Sequence, residues 1–310
     1  LCIFKLKRYY QLMSTTSINN KLQFSGHESF SCKQFWLKKG YDFVRNNRSF
    51  SDDEAVIDLG VGKNMVNSIR YWCKAFSIID EKDDTTTELG NHIFSDNGYD
   101  PYIEDIGTLW LLHYNLVKKN KASLYSLLFT EFRKERIDFT KEHLHSFLKR
   151  KCNEDTSVNY NEKTITTDIN VFFRNYASPE RKTKVDIEDV FSNIFLDLEL
   201  IHQYKKIGID DKTEDWYRIG NEKRDNLPSE IILYAILDNY EDKTISFQQL
   251  LTGFNSPGNI FALNAEELYR HLINITSKHT NIIYSETAGN RTLQFKEQID
   301  KWKILDEYYR

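Results

Sequence analysis

Four cysteines are scattered along the chain, Cys2, Cys32, Cys73 and Cys152, and no two form a CxxC pair. That spacing argues against a locally encoded zinc site and against a disulfide framework. Basic charge is not in excess either: the net charge is −4 over 310 residues. A uniformly basic nucleic-acid binder is excluded, so any such surface must be local. Apolar runs such as 109–112, within 106–117, fall far short of the ~20 residues that span a bilayer, and no secretory h-region opens the chain. A cytoplasmic protein is expected.

Catalytic signatures are missing as well. Gly60-Val61-Gly62-Lys63 glances at a phosphate loop. A true GxxxxGK[ST] loop, however, needs glycine where Ile57 stands and a hydroxyl where Asn64 stands. There is no nucleophile elbow, dinucleotide fingerprint or HExxH. A metal-dependent nuclease can be assembled on paper from Asp58, Asp80 and Lys82. Carboxylate spacing alone is poor evidence for a site, and the expectation is a protein without catalysis, cofactor or metal.

What is present suits a packed soluble protein: 40% hydrophobic, 14% aromatic and 28% charged residues, long enough for two or three domains. The organising stretch is 51–94, which reads as a winged helix-turn-helix. Ser51 and Glu54 have capping-box spacing, and Ala55, Val56 and Leu59 give a short helix one apolar face. Gly60 and Gly62 then permit a left-handed turn. The following helix, 63–76, buries a stripe of Val66, Ile69, Cys73 and Phe76 at steps of three and four. Lys63, Asn67, Arg70, Tyr71 and Lys74 fall on its outer side, with Asn64 at the leading end.

That outer side carries three cations and no acid. Helix-turn-helix proteins place the start of such a helix on base edges, where Asn can pair with adenine. Lys63, Arg70 and Lys74 would then meet phosphates. Segments 77–79 and 85–89 could pair as the wing, but its tip, Glu81-Lys82-Asp83-Asp84, is acidic where a wing tracking DNA should be basic. The plainer alternative is a solvated helix face.

Upstream, Met13 before Ser-Thr-Thr looks like a natural start, and the first 22 residues or so are expected to be poorly ordered. Phe35, Trp36, Phe43 and Val44 mark the first helix of the winged unit. His27-Glu28 is expected to cap that helix or to bond a neighbouring loop. The motifs FSGHESF, CKQFWLKKGYDFV, LGVGKNMVNSIRYWCKAF, TELG and GYDPYIEDIGTLWLLHY together resemble the uncharacterised bacterial family called domain of unknown function 4007, from Phe24 onward. The resemblance implies a place in bacterial defence islands near DNA-modification or sulfur-transfer enzymes. It carries no established catalytic residues.

Farther on, 106–117 is apolar nearly all round and reads as a central buried helix, with His113 a satisfied core histidine. Amphipathic helices are expected at 123–132 and 140–151. Thr166-Thr167-Asp168 could cap a helix of a second helix-turn-helix, with Asn170 and Arg174 outside and a hairpin at 198–206 and 215–219. Pro228 suits a first helical turn, followed by helices at 231–237 and 245–251. Asn264 and Glu267 can cap a helix over 265–278, and a hairpin joins 282–286 to 292–295 through Ala288-Gly289-Asn290. Glu266 and Glu267 would repel phosphates, so this second winged shape reads as a protein-contact module. A helix over 295–308 closes the chain.

The fold class is thus mainly α (α+β). The expected order is an extension (1–23), a winged helix-turn-helix (24–97), a helical middle (98–226) and a winged-helix-like end (227–310). Double-stranded DNA and other subunits of a defence or DNA-modification assembly are the expected partners, with no membrane. The rivals are a protein–protein scaffold with no nucleic-acid contact and the metal-dependent nuclease.

Overall fold

A computed structural model describes residues 21–155, 160–177, 193–208 and 211–310. Most of the extension read into residues 1–23 lies outside them. Among the described residues helices dominate, and two three-stranded antiparallel sheets sit among them.

The first helix, α1 (Gln34–Arg45), turns Trp36, Leu37, Gly40, Tyr41 and Phe43 inward. Gly40 is required there, because a Cβ would lie 2.4 Å from Cys73 Sγ on the helix that crosses it. Next come α2 (Ala55–Leu59) and α3 (Lys63–Ala75), joined through Gly60 at φ 62°. Ser51 and Glu54 do not form the expected capping box. Both lie in a turn, no side chain caps α2, and the Glu54 carboxylate faces Arg48 at 3.9 Å. Ala55 and Leu59 are buried as expected, whereas Val56 is exposed.

Where a wing is expected there is one bridge, Ile79↔Thr86, flanked by hydrogen bonds from Asp80 N–H to the Thr85 carbonyl and from Thr87 N–H to the Ile78 carbonyl. The expected second strand stops because Thr87 caps a new helix, α4 (Glu88–Phe94), accepting from Gly90 N–H at 3.0 Å. Glu88 and Leu89 are therefore helical.

The central helix α5 (Ile106–Lys119) is buried from Gly107 to Val117. His113 is neutral and fully satisfied. Its Nε2 donates to the Ile260 carbonyl at 2.8 Å, and its Nδ1 accepts from the Tyr176 hydroxyl at 2.7 Å. Burial pushes its pKa down to about 3.

After α5, α6 (Ser123–Leu127) runs on through a π turn (Leu128–Phe132) into a last turn (Arg133–Glu135). Strand β1 (Asp138–Phe139) precedes α7 (Lys141–Glu154), which opens on a Thr140/His143 capping box. In α8 (Glu162–Tyr176) the cap is Asn161, so Thr166-Thr167-Asp168 lies inside the helix and no second helix-turn-helix begins there. The two threonines bond back to the Glu162 and Lys163 carbonyls instead. The hairpin read downstream forms from β2 (His202–Ile207) and β3 (Thr213–Arg218), starting four residues later than read because Leu198 ends a 3-10 turn, with β1 as a third strand. Position 210 lies outside the described residues.

At the C-terminal end, α9 (Ser229–Asn239) follows Pro228 and β4 (Thr244–Ser246) comes next. Only then does α10 (Phe247–Thr252) start, capped by Ser246 and Gln249, so the helix read from 245 loses its first residues to a strand. The short α11 (Pro257–Ile260) leads to α12 (Ala265–Lys278), whose Glu267 N–H donates to Asn264 Oδ1 at 2.8 Å. Strands β5 (Ile282–Thr287) and β6 (Asn290–Phe295) pair as read, turning through Ala288 and Gly289 at positive φ. The sheet order is β4-β6-β5. The final helix, α13 (Lys301–Tyr309), starts after Asp300; Phe295 belongs to β6. It packs on α9 and buries Ile304 and Leu305.

Candidate nucleic-acid interface

The inner stripe of α3 is buried at Val66, Ile69, Cys73 and Phe76, as the spacing predicts. Its outer side divides into an open leading end and a covered trailing end. At the leading end, Lys63, Asn64 and Asn67 are exposed. Gly62 occupies the N-cap without any side-chain cap, and an added Cβ at Gly60 or Gly62 would meet nothing within 4 Å. No side chain caps the Lys63 and Asn64 N–H groups, while the Met65 N–H bonds the Gly62 carbonyl; the positive end of the helix dipole thus lies beside a lysine and two carboxamides.

The trailing half is occupied by the chain itself. Asp84, at φ 59°, turns its carboxylate back onto the helix. Arg70 reaches it through Nε at 3.1 Å and NH2 at 2.8 Å, and Lys74 Nζ at 2.7 Å. Lys74 also donates to the Glu81 carbonyl and is only 12% exposed. The acidic tip that sequence reasoning set against a basic wing thus neutralises the cations beside it. The Glu81 carboxylate is drawn away by Lys121 at 2.5 Å, and that hydrogen bond holds its pKa below the usual carboxylate range.

Tyr71 departs furthest from expectation. It is buried rather than presented to solvent, under the turn formed by residues 24–30. A Cβ on Gly26 (φ 98°) would lie 2.7 Å from Tyr71 Cδ2, so glycine is the residue that lets the turn close on the ring. Burial raises the phenol's pKa strongly, and the nearby Asp168 charge adds to it. Ser25, Glu28 and Ser29 also hold positive φ, an unusual run for residues with side chains.

The contacts of His27 hold this turn. Ser29 N–H donates to Nδ1 at 3.2 Å, so Nε2 carries the hydrogen and donates to Asp168 Oδ1 at 3.0 Å. Asp168 further accepts from Ser25 N–H, at 3.2 and 3.0 Å to its two oxygens. Ser68 Oγ, on α3, donates to the His27 carbonyl at 3.1 Å. His27 therefore bonds a distant helix, α8, rather than capping α1, and ties α3 to it through its carbonyl. Glu28 itself is exposed.

The residues of the nuclease reading belong to separate local arrangements. Asp58 faces Arg48 at 3.3 Å, and Asp80 accepts Lys82 N–H within its own loop at 2.7 Å. Among the described residues, no group of three or more His, Cys, Asp or Glu converges as a metal site. No helix among them is long and apolar enough to cross a membrane.

Between α1 and the end of α2 lies a groove of about 420 Å³ lined by Phe35, Lys38, Lys39, Asp58 and Tyr102, among others. Phe35 and Tyr102 are 62% and 58% exposed, and Ile57 on α2 reaches 79%.

Two solved structures resemble the chain. One is described as a magnesium ion-bound SspB crystal structure, the other as an SspB crystal structure. Each is 28% identical, with TM-scores of 0.81 and 0.80, and each match covers 93% of this chain and 88% of the other. No curated protein matches the sequence. A family model matches residues 24–309, nearly the whole chain, and the protein therefore belongs to the family described as protein of unknown function (DUF4007).

Proposed function

We propose that this protein is a non-catalytic DNA-binding adaptor of a bacterial DNA-modification or defence assembly, and that the leading end of α3 meets the duplex. The observation that carries this reading is the exposure of Lys63, Asn64 and Asn67 around an uncapped helix start, with no acid on that end of the face. In this arrangement Asn64 and Asn67 read base edges, and Lys63 with the free N–H groups holds a phosphate. Arg70, Lys74 and Tyr71, grouped with them by spacing, are held by Asp84 or buried, so they are not the first contacts.

Two winged units frame the proposed architecture. The first spans 24–97 and has a vestigial wing. The second spans 227–310, where the order α9-β4-α10-α12-β5-β6 supports a winged-helix reading. The middle, 98–226, joins them.

A scaffold role is the second reading. The observation favouring it is the exposed apolar set Phe35, Ile57 and Tyr102. Fluorescence anisotropy with a long duplex at low salt separates the two. The combined Lys63→Ala, Asn64→Ala, Asn67→Ala variant should weaken binding by roughly tenfold or more, given ~1–3 kcal/mol for each good base contact. No binding by the parent protein would leave the scaffold reading standing, and equal binding by variant and parent would move the DNA contact away from α3.

A further inference from the structure

A second feature, remote from α3, lies between the end of the α6 segment and the start of α12. It is a cavity of about 500 Å³ whose polar wall includes Arg133, Lys134, Asn221, Thr252, Asn259 and Asn264. Its described lining holds two cations and no carboxylate; of the two acids in the first turn of α12, Glu267 is taken up by Arg270 and by the Arg224 N–H, and Glu266 is not part of the lining.

Arg133 is only 7% exposed, yet none of its hydrogen bonds goes to an acid. Its Nε donates to the Ile219 carbonyl at 3.3 Å, NH1 to the Asn259 carbonyl at 2.7 Å, and NH2 to Asn221 Oδ1. Among the described acids, Glu222 acts on it, and that carboxylate is already shared by Arg218 at 3.6 Å, Arg224 at 3.8 Å and His202 at 3.3 Å. Arg224 repels Arg133 across the same region. A buried guanidinium that hydrogen-bonds only neutral acceptors, with the Phe129 ring 5.9 Å away and a shared carboxylate acting without direct contact, is costly unless an anion completes its surroundings. Lys134 extends beside it, donating to the Thr252 carbonyl at 3.3 Å. Across the cavity, Asn264 uses its oxygen to cap α12, and Ala265 brings the start of that helix to the wall.

We propose that this cavity binds a phosphate-class oxyanion, free or carried by a nucleotide, held by Arg133 and Lys134 against the start of α12. The volume lies within the range of small-molecule sites, and Leu251 and Leu263 offer an apolar wall on which a nucleoside can rest. The site is independent of α3, so it stands or falls apart from DNA binding there.

Thermal unfolding and calorimetry of the full chain test it, with inorganic phosphate and adenosine monophosphate as probes and chloride at matched ionic strength as control. Phosphate should raise the unfolding temperature saturably while chloride does not. Tighter binding of the nucleotide would identify a nucleotide site, and equal binding a free-anion site. Lys134→Glu, at a solvent-exposed residue, should weaken the anion by on the order of tenfold or more, the worth of one charge-assisted hydrogen bond. It should not lower the anion-free unfolding temperature, because the new carboxylate lies beside the Arg133 guanidinium. Arg133→Gln should abolish the effect; if that variant does not fold, Lys134→Glu decides alone. No saturable response to either probe, or an undiminished one in Lys134→Glu, overturns the proposal.

Discussion

Replacing Asp84 with Asn should make the protein bind duplex DNA more tightly, although the residue itself touches no DNA. The carboxylate is shared by Arg70 and Lys74, the two cations along α3 behind Lys63. At ~1.5 Å rise per residue, Arg70 stands about 10 Å and Lys74 about 16 Å beyond Lys63. A backbone followed from the leading end therefore passes both. Asparagine tolerates the left-handed backbone that Asp84 adopts at φ 59°, so the loop keeps its path. The stability cost should be about 1 kcal/mol: two ion pairs are lost, but the Arg70 side chain is 39% exposed and well screened.

Removing one anion near a phosphate is worth at least ~1 kcal/mol, or roughly fivefold in affinity. Two released cations should also steepen the plot of log affinity against log salt by up to ~1.8. Anisotropy titrations across a sodium chloride series measure both quantities, and urea unfolding measures the first. Unchanged affinity and slope in a folded Asp84→Asn protein would refute the idea that α3 lies along the backbone. Weaker binding would mean that the acidic tip is itself part of the contact.

Other outcomes follow from the same geometry. Gly26→Ala should destabilise by ~1–3 kcal/mol, because the residue sits at φ 98° and its Cβ would collide with Tyr71; chemical denaturation reads this directly. Asp168→Ala should cost ~2–4 kcal/mol by stranding the buried His27 and the Ser25 N–H, and should speed proteolysis near residue 26. Acid should unfold the protein partly through two imidazoles. Burial depresses His113 to about 3 and His271 to about 4, against an ordinary 6.5. The unfolded chain therefore binds protons first, and the stability these groups supply above 6.5 is lost as pH falls through that window. Urea midpoints measured down the pH scale should decline there, and His113→Leu should flatten the decline while costing ~2–4 kcal/mol overall at neutral pH.

The elements legible in the sequence are those whose signal is local. The α3 stripe, the all-round apolar α5 and the β5–β6 turn each declare themselves within a few residues. Caps were less secure, because side-chain oxygens have competing partners. Glu54 faces Arg48, and Thr166 and Thr167 bond back to their own helix. The interface misreadings share a cause. Helical spacing places Tyr71, Arg70 and Lys74 on one side, but it says nothing about which distant segment covers that side. Tyr71 is covered by a turn more than forty positions upstream, and the two cations are met by an acid ten or more positions downstream. The acidic tip was visible in the sequence; its folding onto the neighbouring basic face was a matter of tertiary geometry. Arg133 offered no signal at all, since its lack of an acidic partner emerges only once its neighbours are placed.

Lysine acetylation in the presence and absence of duplex DNA tests the central claim most directly. Lys63 is exposed at the leading end of α3, whereas Lys74 is 12% exposed and paired, giving an internal control on the same helix. Lys63 should react readily in the free protein and be protected at saturating DNA, while Lys74 reacts slowly in both. Undiminished reactivity of Lys63 on saturated DNA would contradict the account.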